Sequence, residues 1–148
     1  MQQKYILFAI TWLLLISFVS SLAKEPNNMK KLRERYAKLR TELEDLPENH
    51  KFKPIVEPIL ITGYYGMHDG LLGFNTNKGS EIGLCVDGCT NEMMHVLLHE
   101  LAHATVPEFS HSPQFWKNLE ELKNFASNKG LYTHIKDPRD FCGAVVHD

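Results

Sequence analysis

No sign of charge dominates this chain. Sixteen Lys and Arg stand against 18 Asp and Glu, for a net charge of −2, so there is no global case for nucleic-acid binding. Cysteine is scarce: the three present, Cys85, Cys89 and Cys142, are an odd number and do not make a disulfide framework. Cys85 and Cys89 are close enough in sequence to pair, or to remain two reduced thiols; Cys142 stands alone. A cysteine-based zinc site would need more ligands than these. There is no glycine-rich phosphate loop, no serine or cysteine triad, no internal repeat and no low-complexity tract. With 43% hydrophobic and 23% charged residues in 148, the composition is that of a folded chain, with enough length for one modest core.

What the sequence does have is a helix built around histidine. His99-Glu100-Leu101-Ala102-His103 is a His-Glu-x-x-His pattern. On a helix, the two histidines fall one turn apart on one face, where they can share a metal ion, and Glu100 can act on a water held there. The flanks favour a helix. Thr90 is a candidate N-cap, Glu92 suits the positive end of the dipole, and Pro107 is a stop. Met93, Met94, Val96, Leu97, Leu98, Leu101 and Ala102 make the segment apolar nearly all round, as in a buried helix. A third histidine, His111, precedes Ser112-Pro113, which reads as an N-cap with proline at the first helical position. The start of that next helix, marked by Phe115, Trp116, Leu119, Leu122, Phe125 and Ala126, would let His111 turn back to the same ion. His95, one turn before His99, is a supporting or a packed residue. His68, Tyr64, Tyr65 and His134 are the candidates for a second donor to an oxyanion.

The rest of the chain divides by pattern. Residues 5–23 are apolar except for Thr11, Ser17, Ser20 and Ser21, at about 28 Å nearly the thickness of a bilayer core. A single-pass membrane anchor is expected there. The alternative is a secreted chain whose signal peptide is cleaved near Ser21-Leu22-Ala23. The basic residues at positions 24–40 would stay in the cytosol by the positive-inside rule, which opposes secretion. Met29, Leu32, Tyr36, Leu39, Leu43 and Leu46 form one apolar stripe of a second helix, ended by Pro47. That stripe is read as packing on the domain itself, with a short coiled coil or a lipid-facing basic patch as the alternatives. Strands are expected at 59–65, 71–75 and 80–86, with a hairpin turn at Asn77-Lys78-Gly79. A sheet edge beside the metal helix could take up an extended peptide as an added strand. The tail, 131–148, shows no period and is assigned no role.

The segment at 71–84, Leu-Leu-Gly-Phe-Asn-Thr-Asn-Lys-Gly-Ser-Glu-Ile-Gly-Leu, resembles the stretch that precedes the metal helix in the WLM family of zinc metallopeptidases. Val96-Leu97-Leu98 followed by His99 to His103 is similar to that family's metal helix. His111-Ser112-Pro113-Gln114-Phe115-Trp116 resembles its third-ligand segment, and that of SprT-like peptidases. The likeness runs over about 71–131. Seven residues, 104–110, separate the second and third histidines, a longer spacer than the family pattern carries. The resemblance implies an α+β fold: a small zincin-like domain, its short sheet packed on the active-site helix and a second helix, preceded here by the transmembrane or signal helix. It implies one Zn(2+) per chain held by His99, His103 and His111, with Glu100 catalytic and a protein or peptide as substrate. The expected organisation is therefore a hydrophobic segment at 1–23, an amphipathic helix at 24–47 and a zincin-like metallopeptidase domain at 48–148. The rival reading is a zinc-binding, membrane-anchored structural or adaptor protein without turnover, its fourth ligand a cysteine such as Cys89 or a carboxylate.

Overall fold

A computed structural model describes the backbone of residues 2–22 and 25–148; within the first helix it describes the side chains at 5, 6 and 8–17. The architecture is mixed α and β. Four helices, α1 (Gln2–Leu22), α2 (Asn27–Glu44), α3 (Thr90–Ala102) and α4 (Pro113–Asn128), accompany strands β1 (Leu60–Tyr64), β2 (Gly73–Thr76) and β3 (Glu81–Cys85) and a hairpin of β4 (Arg139–Phe141) and β5 (Ala144–Val146). The first sheet has the order β1-β3-β2. β2 and β3 are the expected antiparallel hairpin, and Asn77 and Lys78 turn it with φ of 49° and 53°, as a tight hairpin requires. β1 lies on the far side of β3 and runs parallel to it. That leaves β2 as the sheet edge nearest α3.

α1 corrects an expectation. Among the described residues, no helix is long and apolar enough to cross a membrane. The single-pass membrane localisation, and the membrane as a partner, are not supported. The expected cleavage site at Ser21-Leu22-Ala23 falls on side chains outside the described set.

The apolar stripe of α2 is buried as its spacing implies: Met29, Leu32, Tyr36, Leu39 and Leu43 all enter the core, where α2 meets α3. Its polar atoms hold neighbouring loops. Asn28 Nδ2 donates to the carbonyls of Val86 and Gly88 at 2.7 and 2.9 Å, and Arg40 Nε donates to Val56 O at 2.6 Å. Arg35 Nη1 donates to Leu131 O at 3.2 Å. Two of the basic residues of this helix thus turn back onto the chain, which argues against a helix given over to lipid.

α3 starts at Thr90, with Cys89 rather than Thr90 at the cap position. It ends at Ala102 and tightens into a 3-10 turn, His103–Thr105, before Pro107 is reached. α4 begins as expected, Ser112 Oγ accepting from Phe115 N at 3.2 Å.

Two readings of the remaining segments change. Cys142 is joined to Cys85 in a disulfide, and Cys89 is the free, exposed thiol. The partner comes from a strand 57 residues away, a proximity that sequence spacing does not reveal. The tail is also structured: it buries Leu131, Tyr132, Ile135, Phe141 and Val146 in the core and forms the β4–β5 hairpin.

The β2–β3 pairing depends on one close approach. A Cβ at Gly83 would lie 2.3 Å from two ring atoms of Phe74, directly across the ladder. Overpacking of this kind costs about 1–3 kcal/mol, so Gly83→Ala should lower the urea midpoint of unfolding measurably. An unchanged midpoint would show that Phe74 swings aside without penalty.

Candidate metal centre

α3 is apolar on almost every side and lies within the core, so its histidines are set by helix geometry rather than by flexible side-chain choice. His99 and His103 project from one face, with ring centroids 5.4 Å apart. His111 comes back from the loop before α4. Its Nε2 lies 3.0 Å from His99 Nε2 and 3.3 Å from His103 Nε2. The ligand atoms of the three rings all lie within 4.8 Å of one another. Fully buried Phe115 supports all three rings, at centroid distances of 5.1, 4.5 and 4.7 Å. Three imidazole nitrogens pointing at one another repel or share protons unless something positive sits between them. The donor set fits a metal ion, which these residues could hold.

The electrostatics favour the neutral, ligating form. Burial, reinforced by His111 and His103, pushes His99 down to about 3. Burial likewise lowers His103. Glu100 is 8% exposed, and burial alone pushes its carboxyl up to about 7. Gly73 on β2 makes room for it: a Cβ there would stand 3.2 Å from Glu100 Oε1 and 2.6 Å from Val96 Cγ1. Asn75 Nδ2 donates to Glu100 O at 2.9 Å, tying the sheet edge to α3.

The long spacer between His103 and His111 is fastened at both ends. Lys78 Nζ, from the hairpin turn, donates to Val106 O at 2.9 Å and Glu108 O at 3.0 Å, and also to Pro107 O. Asn118 of α4, 1% exposed, donates to Thr105 Oγ1 at 2.9 Å. The Ser112 hydroxyl donates to the Glu108 carboxylate. Gly73, Asn75, Lys78 and Asn118 were not visible as site residues in the sequence. Each acts on a segment 13 to 30 residues away, and no local pattern marks such a contact.

With this geometry in view, the comparison with known proteins is decisive. The model of the WLM domain matches residues 16–138. The chain belongs to the WLM family. That family is of zincin-like metallopeptidase type, and the match extends well beyond the segment that carried the sequence resemblance, taking in α2. Among curated proteins, this WLM chain is 31% identical over 121 residues to uncharacterized protein R325 of Acanthamoeba polyphaga mimivirus, covering 71% of the chain and 61% of that protein. It is 32% identical over 79 residues to uncharacterized protein 136R of Invertebrate iridescent virus 6, covering 47% and 44%. The chain therefore spans less than two thirds of the length of either relative. No solved structure matches it significantly.

The remaining residues singled out in the sequence lie apart from the triad. Tyr64 OH donates to Leu71 O at 3.2 Å, and Tyr65 is 75% exposed. The His68 ring packs at a tilt against those of Tyr64 and Phe74. None of these three lines the cleft of about 330 Å³ that holds the triad and Glu100. His134 and His95 join a second polar cluster centred on Asp148. The Asp148 carboxylate accepts from Lys123 Nζ at 2.6 Å, from Tyr132 OH at 2.8 and 2.9 Å and from Ile135 N at 2.7 Å. His134 Nδ1 is 3.1 Å away. His95 Nδ1 is 3.0 Å from Tyr132 OH. This cluster walls a cavity of about 580 Å³ that His99 also lines.

Burial of Asp148 works against its charge, but hydrogen bonds from Lys123, Tyr132 and Ile135 outweigh it and hold the carboxyl down at about 2, below its ordinary 3.8. A depressed carboxyl contributes stability above its unfolded value and loses it as pH falls through the folded one. The thermal stability advantage of the parent over Asp148→Asn should be full above pH 3.8 and shrink as pH falls to about 2. An advantage that does not change over that window would mean the carboxylate is not charged in the cluster.

Proposed function

We propose that this chain is a zinc-dependent metallopeptidase that hydrolyses peptide bonds, with His99, His103 and His111 as the ligands of one Zn(2+) and Glu100 as the catalytic base. The observation that carries the reading is the convergence of three Nε2 atoms beside one buried carboxylate. Family membership supports it. When bound, zinc supplies Lewis acidity: it polarises the scissile carbonyl and acidifies a water.

The protein's own groups do the rest. Three neutral imidazoles leave the ion its full charge. Glu100, its carboxyl buried beside the ligands, takes a proton from the attacking water and hands it to the leaving amine nitrogen. As the C–N bond breaks, the amine departs protonated and the new carboxylate carries the water oxygen. β2, the free edge beside the site, offers main-chain hydrogen bonds to an extended substrate. Residues 48–148 form the peptidase in this reading, and α2, within the segment 24–47, braces α3.

The structural, non-catalytic alternative needed a fourth protein ligand. Cys89 is ten positions before His99 at the other end of α3, about 15 Å away along the axis. Among the described residues, the group that could hold a metal here consists of the three histidines alone, which favours an open coordination position.

Metal analysis and peptide hydrolysis test the proposal together. Parent and Glu100→Gln should each retain about one zinc, while Glu100→Gln loses on the order of 100-fold or more in rate. His111→Ala should bind zinc more weakly than either. Full hydrolysis by Glu100→Gln would remove Glu100 as the base, and undiminished zinc affinity in His111→Ala would remove the third ligand.

A further inference from the structure

The cleft that holds the triad has a chemical character of its own. Its lining includes Leu71, Phe74 and Phe109 beside Lys78, Glu100 and the histidines. Leu71 is 51% exposed, Phe109 76% and Trp116 51%. Leu71 lies just before β2, and Phe109 is in the loop before His111. Trp116, its ring 5.3 Å from that of His111, lines the other cavity that His99 borders. Large apolar side chains of the cleft, Leu71 and Phe109, are thus held in water, an arrangement that costs free energy unless something covers them.

The charged groups of the cleft are already committed. An ammonium has three N–H donors, and Lys78 directs its Nζ to three carbonyls, those of Val106, Pro107 and Glu108. It also sits 4.5 Å from the Phe109 ring centroid, so the same cation holds that ring in place over the cleft. Glu100 is buried. Among the described residues that line the cleft, no charged group is left to pair with a charged substrate side chain, while β2 leaves one edge of its backbone unpaired in the sheet. An extended strand added there places alternate side chains toward the cleft walls.

We infer that this cleft selects extended, unfolded polypeptide with apolar side chains beside the scissile bond, received against Leu71 and Phe109. The inference rests on the peptidase reading for its scissile bond, but the binding it describes does not require turnover. Lys78 enters as a positioning residue, acting through Phe109 and the loop.

Two measurements separate the ideas. The first uses the full chain carrying Glu100→Gln, loaded with zinc, and fluorescence anisotropy of labelled peptides of equal length. A Leu- and Phe-rich peptide should bind at least about tenfold more tightly than an Asp- and Lys-rich one, a difference of about 1.4 kcal/mol. Leu71→Ser or Phe109→Ser added to that chain should abolish the preference while thermal stability stays unchanged, since both side chains are exposed. Lys78→Met should weaken it and Lys78→Arg restore it. The second reads the sites cut in unfolded casein by the parent enzyme, where Leu, Phe, Met and Val should be enriched next to the cleaved bond. Equal binding of the two peptides overturns the inference, as does cleavage with no apolar enrichment. A self-associated parent that becomes monomeric on Phe109→Ser would also overturn it, assigning the patch to a second copy of the chain. Apolar-selective binding without any cleavage in the parent would instead keep the cleft and sink the peptidase reading.

Discussion

The site depends on the burial of α3. A helix surrounded by core on nearly every side cannot roll or fray, so a pair of histidines one turn apart becomes a fixed pair of nitrogens. The same burial strips water from Glu100, and a carboxyl that cannot be solvated holds its proton to higher pH. Position and proton affinity therefore come from one cause, the packing of Met93, Met94, Leu97, Leu98 and Leu101. The sheet contributes by omission: Gly73 carries no side chain where the Glu100 carboxyl must lie.

The third histidine is held by different physics. His111 is in an exposed loop with no helix to orient it, and the loop before it is long. Its place is set by polar contacts from two distant elements, Lys78 from the β2–β3 turn and Asn118 from α4, together with the Phe115 ring beneath it. Backbone carbonyls that would otherwise face solvent are drawn onto one ammonium. This converts an entropically costly loop into a rigid arm. The position of the same cation over the Phe109 ring couples the shape of the histidine triad to the shape of the cleft.

A second cluster lies behind His99. There Asp148 gathers Lys123, Tyr132, His134 and His95 around one carboxylate. It binds the tail to α4 and forms a wall of the larger cavity. The tail carries no periodic pattern, so this arrangement had no trace in the sequence. The disulfide between Cys85 and Cys142 belongs to the same class of feature: it joins β3 to the tail hairpin across a separation that hides it.

What could be read from the sequence was local and periodic. The stripe of α2, the all-round apolarity of α3, the Ser112-Pro113 start of α4 and the hairpin at Asn77-Lys78 each need only neighbours within a few residues, because helix and turn geometry repeat at that range. The N-terminal run forms a helix, but the membrane span expected of it is not supported: among the described residues no helix is long and apolar enough to cross a membrane. Sequence alone therefore determined the helices, the turn and the one-turn spacing of His99 and His103. Only the tertiary structure decided how His111 returns to them, which cation holds its loop, and which cysteines meet, because those outcomes depend on contacts between segments whose separation along the chain carries no signal of their closeness in space.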